Sequence, residues 1–276
     1  MNSTHFGLSE QETNRLHSIS QNLPNKSIDE LRVLHKNAVN KLDTPSSRQM
    51  ATALLNAVEN ELERRNIPGM IATFEKRYPG GFYGDLQAEE ERNYKVHACQ
   101  QFQLLLGNKE FEQLIRSEQY DELYERVTRL VGLTNFIQGS FEKPILLDTI
   151  RENQPLFMNG LFQFLWSADD LQHRFDQFVL LLEKLGLKKW TYITYFLFLS
   201  DPEQHMFVKP EMLKRSLDIS GYPVRYESTP SFQLYNQILN FSHWLKSKIS
   251  PLKPRDMIDV HSFMWHMAPT GKHRQE

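Results

Sequence analysis

The sequence predicts an all-α protein, a compact helical array. Three observations carry this. Apolar residues recur three and four positions apart along most of the chain, and cap and breaker residues divide them at helix-length intervals. No stretch shows sustained period-two alternation bounded by hairpin turns, so little or no sheet is expected.

The elements follow in order. Ser27-Ile28-Asp29-Glu30 has the spacing of a capping box, and Leu31, Leu34, Ala38 and Leu42 continue it as one apolar face. Thr44-Pro45 opens the next helix, whose stripe is Met50, Leu54, Val58 and Leu62, and Ile67-Pro68-Gly69 is expected to end it. Residues 1–66 are therefore expected as an N-terminal helical segment and 67–276 as the main helical domain. Arg77 to Asp85 is glycine-rich and aromatic but matches no phosphate-loop or dinucleotide pattern, which makes it a structural turn. Beyond it, helices are expected over Leu86–Leu106, Lys109–Ser117, Asp121–Leu130, Pro144–Arg151, Pro155–Trp166 and Asp169–Leu185.

Composition limits the function classes. Hydrophobic residues at 40% and charged residues at 24% give an ordinary globular balance, against disorder. Aromatics at 12% exceed what a plain helical scaffold needs, so some rings are expected to line a pocket while most fill the core. A single cysteine, Cys99, excludes an internal disulfide and a thiolate metal cluster, and reads as filler rather than nucleophile. The first ten residues hold no apolar signal core and no apolar run is long enough to span a bilayer, so the expected location is cytoplasmic with no membrane partner. The net charge of −2 conceals an asymmetry: from Glu183 onward 13 Lys and Arg face 9 Asp and Glu. A polyanion would meet this last third, although the excess permits nucleic-acid binding without demanding it.

That third carries the readable chemistry. A helix ends at Leu185-Gly186-Leu187 and another begins at Lys188-Lys189-Trp190, giving a helix-hairpin-helix-like element near residues 180–211. Turn amides flanked by Lys188 and Lys189 suit a DNA phosphate without reading bases, and Lys209 is a third phosphate anchor.

The order Gly186, Trp190-Thr191, then Phe207-Val208-Lys209-Pro210-Glu211 resembles the alkyl-purine branch of the helix-hairpin-helix DNA glycosylases. The chain departs from that family in having one hairpin glycine and in placing Glu211 where the catalytic aspartate stands. Phe82-Tyr83-Gly84, Glu91 to Lys95, His205 to Pro210 and Pro254 to Trp265 are similar to a bacterial phage-defence glycosylase group acting on glucosylated hydroxymethylcytosine. The resemblance implies a DNA glycosylase that flips and excises a modified base from double-stranded DNA and leaves an abasic site. No cofactor or obligatory protein partner is implied. The alternative is a non-catalytic helical DNA- or partner-binding module of a defence system.

Base excision needs a carboxylate to steady an oxocarbenium-like sugar or orient water, and a pocket for the extruded base. Of the nine acids in this third, Glu211, Asp201, Asp256 and Asp259 are the ones considered, with Glu211, Asp259 and Asp256 the catalytic candidates. Each has a plainer role. Glu211 complements a helix dipole, Asp256 caps the helix it precedes, and Asp259 pairs with Arg255 four residues away. Trp190, Tyr195, His205, Arg255, His261 and Trp265 are the candidate substrate contacts, although helical spacing makes most of the rings core. A metal site is rejected: HExxH is absent and His261 and His266, five apart, do not share a helical face. Arg92 and Lys95 read as a solvated salt-bridged face, with phosphate contact the lesser reading.

Overall fold

A computed structural model describes residues 8–26 and 28–267, and among these it contains helices and no strand. The elements are α1 (Glu10–Asn22), α2 (Ile28–Lys41), α3 (Arg48–Arg77), α4 (Asp85–Gln87), α5 (Asn93–Leu106), α6 (Asn108–Arg116), α7 (Tyr120–Gly132) and α8 (Glu142–Glu152). They continue as α9 (Gln154–Trp166), α10 (Leu171–Lys184), α11 (Trp190–Ser200), α12 (Pro210–Ser220), α13 (Phe232–Lys248) and α14 (Met257–Met267). The all-α array is thus as expected. The capping box expected at Ser27 lies outside the described residues; one is formed instead by Ser9 and Glu12 at the start of α1.

Two boundaries differ from the sequence reading. Thr44 to Ser47 form turns, and α3 starts at Arg48. More consequentially, α3 passes through Pro68 to Arg77, so Ile67-Pro68-Gly69 does not end it. A proline inside a helix forgoes one backbone bond at a cost of about 3 kcal/mol. Burial of Phe74 and Tyr78 beyond it, and of Ile67 just before it, offsets that loss. The buried side chains nevertheless form two clusters: Leu23, Leu31, Val58 and Leu62 in one, and a large one that begins at Ile67.

At the centre of the large cluster lies α11. Every residue from Trp190 to Leu199 is buried, because this helix is apolar on all sides. Its polar atoms are satisfied internally. Thr194 Oγ1 donates to Trp190 O at 2.7 Å, Tyr195 donates to Leu130 O at 3.0 Å, and Trp190 Nε1 donates to Glu227 O at 3.0 Å. No helix among the described residues is long and apolar enough to cross a membrane.

Candidate functional site

The site grows from one stripe of one helix. Gln87, Glu91, Lys95, Ala98, Phe102 and Leu106 recur every three or four residues and are all buried, so the apolar face of α5 continues upstream into charged residues. Between α4 and α5 the chain makes a π-turn over Ala88–Arg92, closed by Asn93 N donating to Ala88 O. Such turns insert an extra residue into a helix and recur at functional sites. Here the turn carries Glu91 and Arg92 inward.

Lys95 is almost wholly inaccessible and is held at both sides, donating to Glu91 Oε2 at 2.5 Å and to Ser262 Oγ at 2.9 Å. The other Glu91 oxygen lies 3.0 Å from His266 Nε2, which is 2.8 Å from the Tyr78 hydroxyl; Tyr78 donates onward to Glu90 at 3.1 Å. Burial alone would raise the Glu91 pKa, but the hydrogen bond from His266 and the ammonium of Lys95 outweigh it and bring it down to about 2. The pKa of Lys95 also falls, but for a different reason: Lys95 is the more deeply enclosed, and lost hydration outweighs the attraction of Glu91. Glu91 is therefore a buried carboxylate that stays ionised at neutral pH.

A second ion network fixes α14 against this turn. Arg92 is bidentate to Asp256 at 2.9 and 2.7 Å and reaches Asp259 Oδ1 at 2.8 Å. Arg255 reaches Asp259 through Nε at 2.8 Å, Nη2 at 3.0 Å and its own amide at 2.9 Å, and donates to Phe82 O at 2.6 Å. Asp256 Oδ1 also caps α14, accepting from Ile258 N and Asp259 N. The glycine-rich loop serves this network as a structural turn. Gly80 and Gly81 take positive φ, Phe82 is buried, and Tyr83 donates to Lys253 O at 3.0 Å.

Where α3, α5 and α14 converge they leave a cavity of about 720 Å³. Its walls include Phe74, Tyr94, Phe136 and Trp265, its ionisable groups Glu90, Glu91, Lys95 and His266, and its rim Lys76, Arg77 and Lys209. Lys209 lies 4.7 Å over the Trp265 ring, and partial burial lowers its pKa. His261, only 3% exposed, is also a wall residue; it packs against Phe136, Phe198 and Phe207. Burial, then the nearby Lys95 charge, holds its pKa well below the usual range. The arrangement joins aromatic wall residues, a largely buried carboxylate and cationic side chains in one cavity. Among the described residues no group of three His, Cys, Asp or Glu is placed to hold a metal ion.

No family model, curated protein or solved structure matches this chain. The site has to be read from its own geometry.

That geometry separates the residues singled out in the sequence. His261, Trp265 and Lys209 meet at the cavity. Asp256, Asp259 and Arg255 lie beside it in the ion network, and none of the three is a wall residue. Asp259 is fully buried with both oxygens engaged by guanidinium groups, and unlike Glu91 it does not line the cavity. Glu211 is elsewhere, exposed on the first turn of α12 and paired with Lys214 at 2.7 Å. Trp190 and Tyr195 are core, with their polar atoms bonded to backbone. His205 sits after the Asp201 turn, outside the cavity wall, with burial bringing its pKa down to about 4.

The hairpin itself is a helix end closed by Gly186 at φ 71°, with Leu187 N donating to Leu182 O at 2.7 Å. Its lysines are committed to carboxylates, Lys188 to Glu183 at 2.8 Å and Lys189 to Glu142 at 3.5 Å. Glu142 also accepts from the Thr191 hydroxyl at 3.4 Å, so a carboxylate already stands at the first turn of α11. Arg92 and Lys95, expected on a solvated face, instead belong to the two ion networks, Lys95 buried and Arg92 half-buried. Cys99 is half-buried filler whose thiol burial pushes up to about 12. Tyr78 was not singled out in the sequence, Glu91 entered only through the family resemblance, and His266 was weighed together with His261.

Proposed function

We propose that the chain is a DNA glycosylase that takes a modified base from a duplex into the α3–α5–α14 cavity and hydrolyses its N-glycosidic bond. The observation that carries this reading is Glu91, a largely buried and ionised carboxylate in the wall of a cavity that also presents aromatic side chains. There it steadies the positive charge that develops on the sugar as the C1′–N bond breaks, and water adds to C1′ while the base leaves with the bonding electrons and a proton. Trp265 and Phe136 give the flipped base faces to stack on, and Lys209 and Lys76 meet the flanking phosphates. The candidate substrate is glucosylated hydroxymethylcytosine, since about 720 Å³ leaves room for a base that carries a sugar. Lys95 and Ser262 act by holding Glu91.

Purified protein incubated with glucosylated-hydroxymethylcytosine duplex and then alkali is expected to give strand scission at the modified sites. Glu91→Gln is expected to lower base release at least about 100-fold while circular dichroism stays unchanged. Absence of scission on that DNA and on alkylated DNA refutes the reading. A second reading, a non-catalytic DNA- or partner-binding module of a defence system, is favoured by one observation: both Glu91 oxygens are already engaged. Salt-sensitive duplex binding with no base release selects it.

A further inference from the structure

His261 has two ring nitrogens, both buried and both without a hydrogen-bond partner, although the residue forms part of a cavity wall. Leaving such groups unmet is costly, and native interiors rarely do so without a ligand or ordered water to complete them. The imidazole is neutral, so it carries one N–H to donate and one lone pair to accept. Its ring is fixed among Phe136, Phe198 and Phe207, which prevents it from turning away. At the rim, Lys76 and Lys209 form no ion pair with any described residue, whereas Arg77 and Lys95 are paired with Glu90 and Glu91. The cavity thus has a neutral imidazole with unpartnered nitrogens in its wall, together with two lysines that form no ion pair.

We propose that His261 is the residue that reads the ring bound in this cavity, and that the ligand class is a neutral nucleobase whose sugar bears a phosphate. An imidazole nitrogen bonds the base edge, and the phosphate lies at Lys76 and Lys209. This rests on the reading of the cavity as a base pocket and adds the group that gives it selectivity. A bare phosphate or sugar phosphate would engage only the rim. A hydrophobic ring without polar edges would leave the histidine unmet.

The test uses binding rather than catalysis. The full chain is titrated calorimetrically with 2′-deoxycytidine 5′-monophosphate, its 5-hydroxymethyl derivative, the two matching nucleosides and 2-deoxyribose 5-phosphate. His261→Phe is expected to weaken nucleosides and nucleotides alike by about tenfold and to leave the sugar phosphate unchanged. Lys209→Met is expected to weaken only the phosphate-bearing probes. In the wild-type protein, the ¹⁵N resonances of the His261 ring should shift on nucleoside addition, a readout independent of whether the phenylalanine variant folds. Equal affinity in His261→Phe, unmoved ring resonances, or no binding of any nucleoside up to millimolar concentration overturns the proposal. Base binding without base release would remove the glycosylase reading and leave this one standing; base release without any His261 dependence would do the reverse.

Discussion

Replacement of Asp259 by asparagine separates an anchor from a catalyst. The side chain is fully buried and each of its oxygens faces guanidinium donors: Arg92 and Arg255 on Oδ1, and Arg255 Nε and its amide on Oδ2. An asparagine amide must turn an NH₂ toward one of these donor pairs in either orientation, so the substitution removes a charge and creates a donor–donor conflict. Breaking a buried ion pair by altering one partner costs about 3–5 kcal/mol. Arg92 keeps its bidentate bond to Asp256 and Arg255 is a third exposed, which places Asp259→Asn at the lower end, about 3 kcal/mol. For a chain of this size that is a fall in Tm of about 6–12 °C.

The assay is thermal unfolding followed by circular dichroism, paired with base release at a temperature where the variant is still folded. Activity per folded molecule should stay within about threefold of wild type, because Asp259 is not among the residues that line the cavity. A Tm within about 2 °C of wild type combined with loss of base release would refute the reasoning and return Asp259 to the chemistry.

Three further outcomes are expected. Lys209→Met should reduce the salt dependence of duplex binding by about one counterion, whereas Lys188→Met and Lys189→Met, whose partners are Glu183 and Glu142, should leave the slope unchanged. His205, buried and lowered from 6.5 to about 4, binds protons more readily when unfolded; its contribution is therefore complete above 6.5 and lost as pH falls toward 4, and His205→Gln should flatten urea midpoints across that window. Gly84→Ala places a Cβ 2.1 Å from the Pro79 carbonyl oxygen, so the loop must shift away from Lys253 and Arg255, lowering Tm by several degrees for a cost of about 1–3 kcal/mol.

The helical architecture was legible because it depends on local signals. Apolar periodicity, glycine breaks and first-turn prolines set most of the helices from Leu86 to Trp166 within a few residues. Pro68 was misread because a local rule met a non-local compensation: the core contacts of Phe74 and Tyr78 lie across the chain and have no trace in the Ile-Pro-Gly triplet. The plainer roles of Asp256 and Asp259, cap and ion-pair partner, are the ones found, since both depend only on neighbours within four residues. Their bond to Arg92, more than 160 residues away in sequence, lay beyond any such rule.

The site was partly legible, and the missed part had a signal. Ala98, Phe102 and Leu106 mark the buried stripe of α5, and stepping back by three from Ala98 gives Lys95, then by four more Glu91. Opposite charges on the continuation of a core stripe mean buried charge, which is retained only where it is paired. The solvated-face reading of Arg92 and Lys95 weighed the acidic run before them and overlooked that stripe. The π-turn has no comparable sequence mark, yet it lets Arg92 and Glu91 face two different networks from adjacent positions. One network anchors α14 and the other lines the cavity. Asp259 and Glu91, both acids and both close to α5, are therefore divided by geometry into a residue that holds the wall and a residue within it.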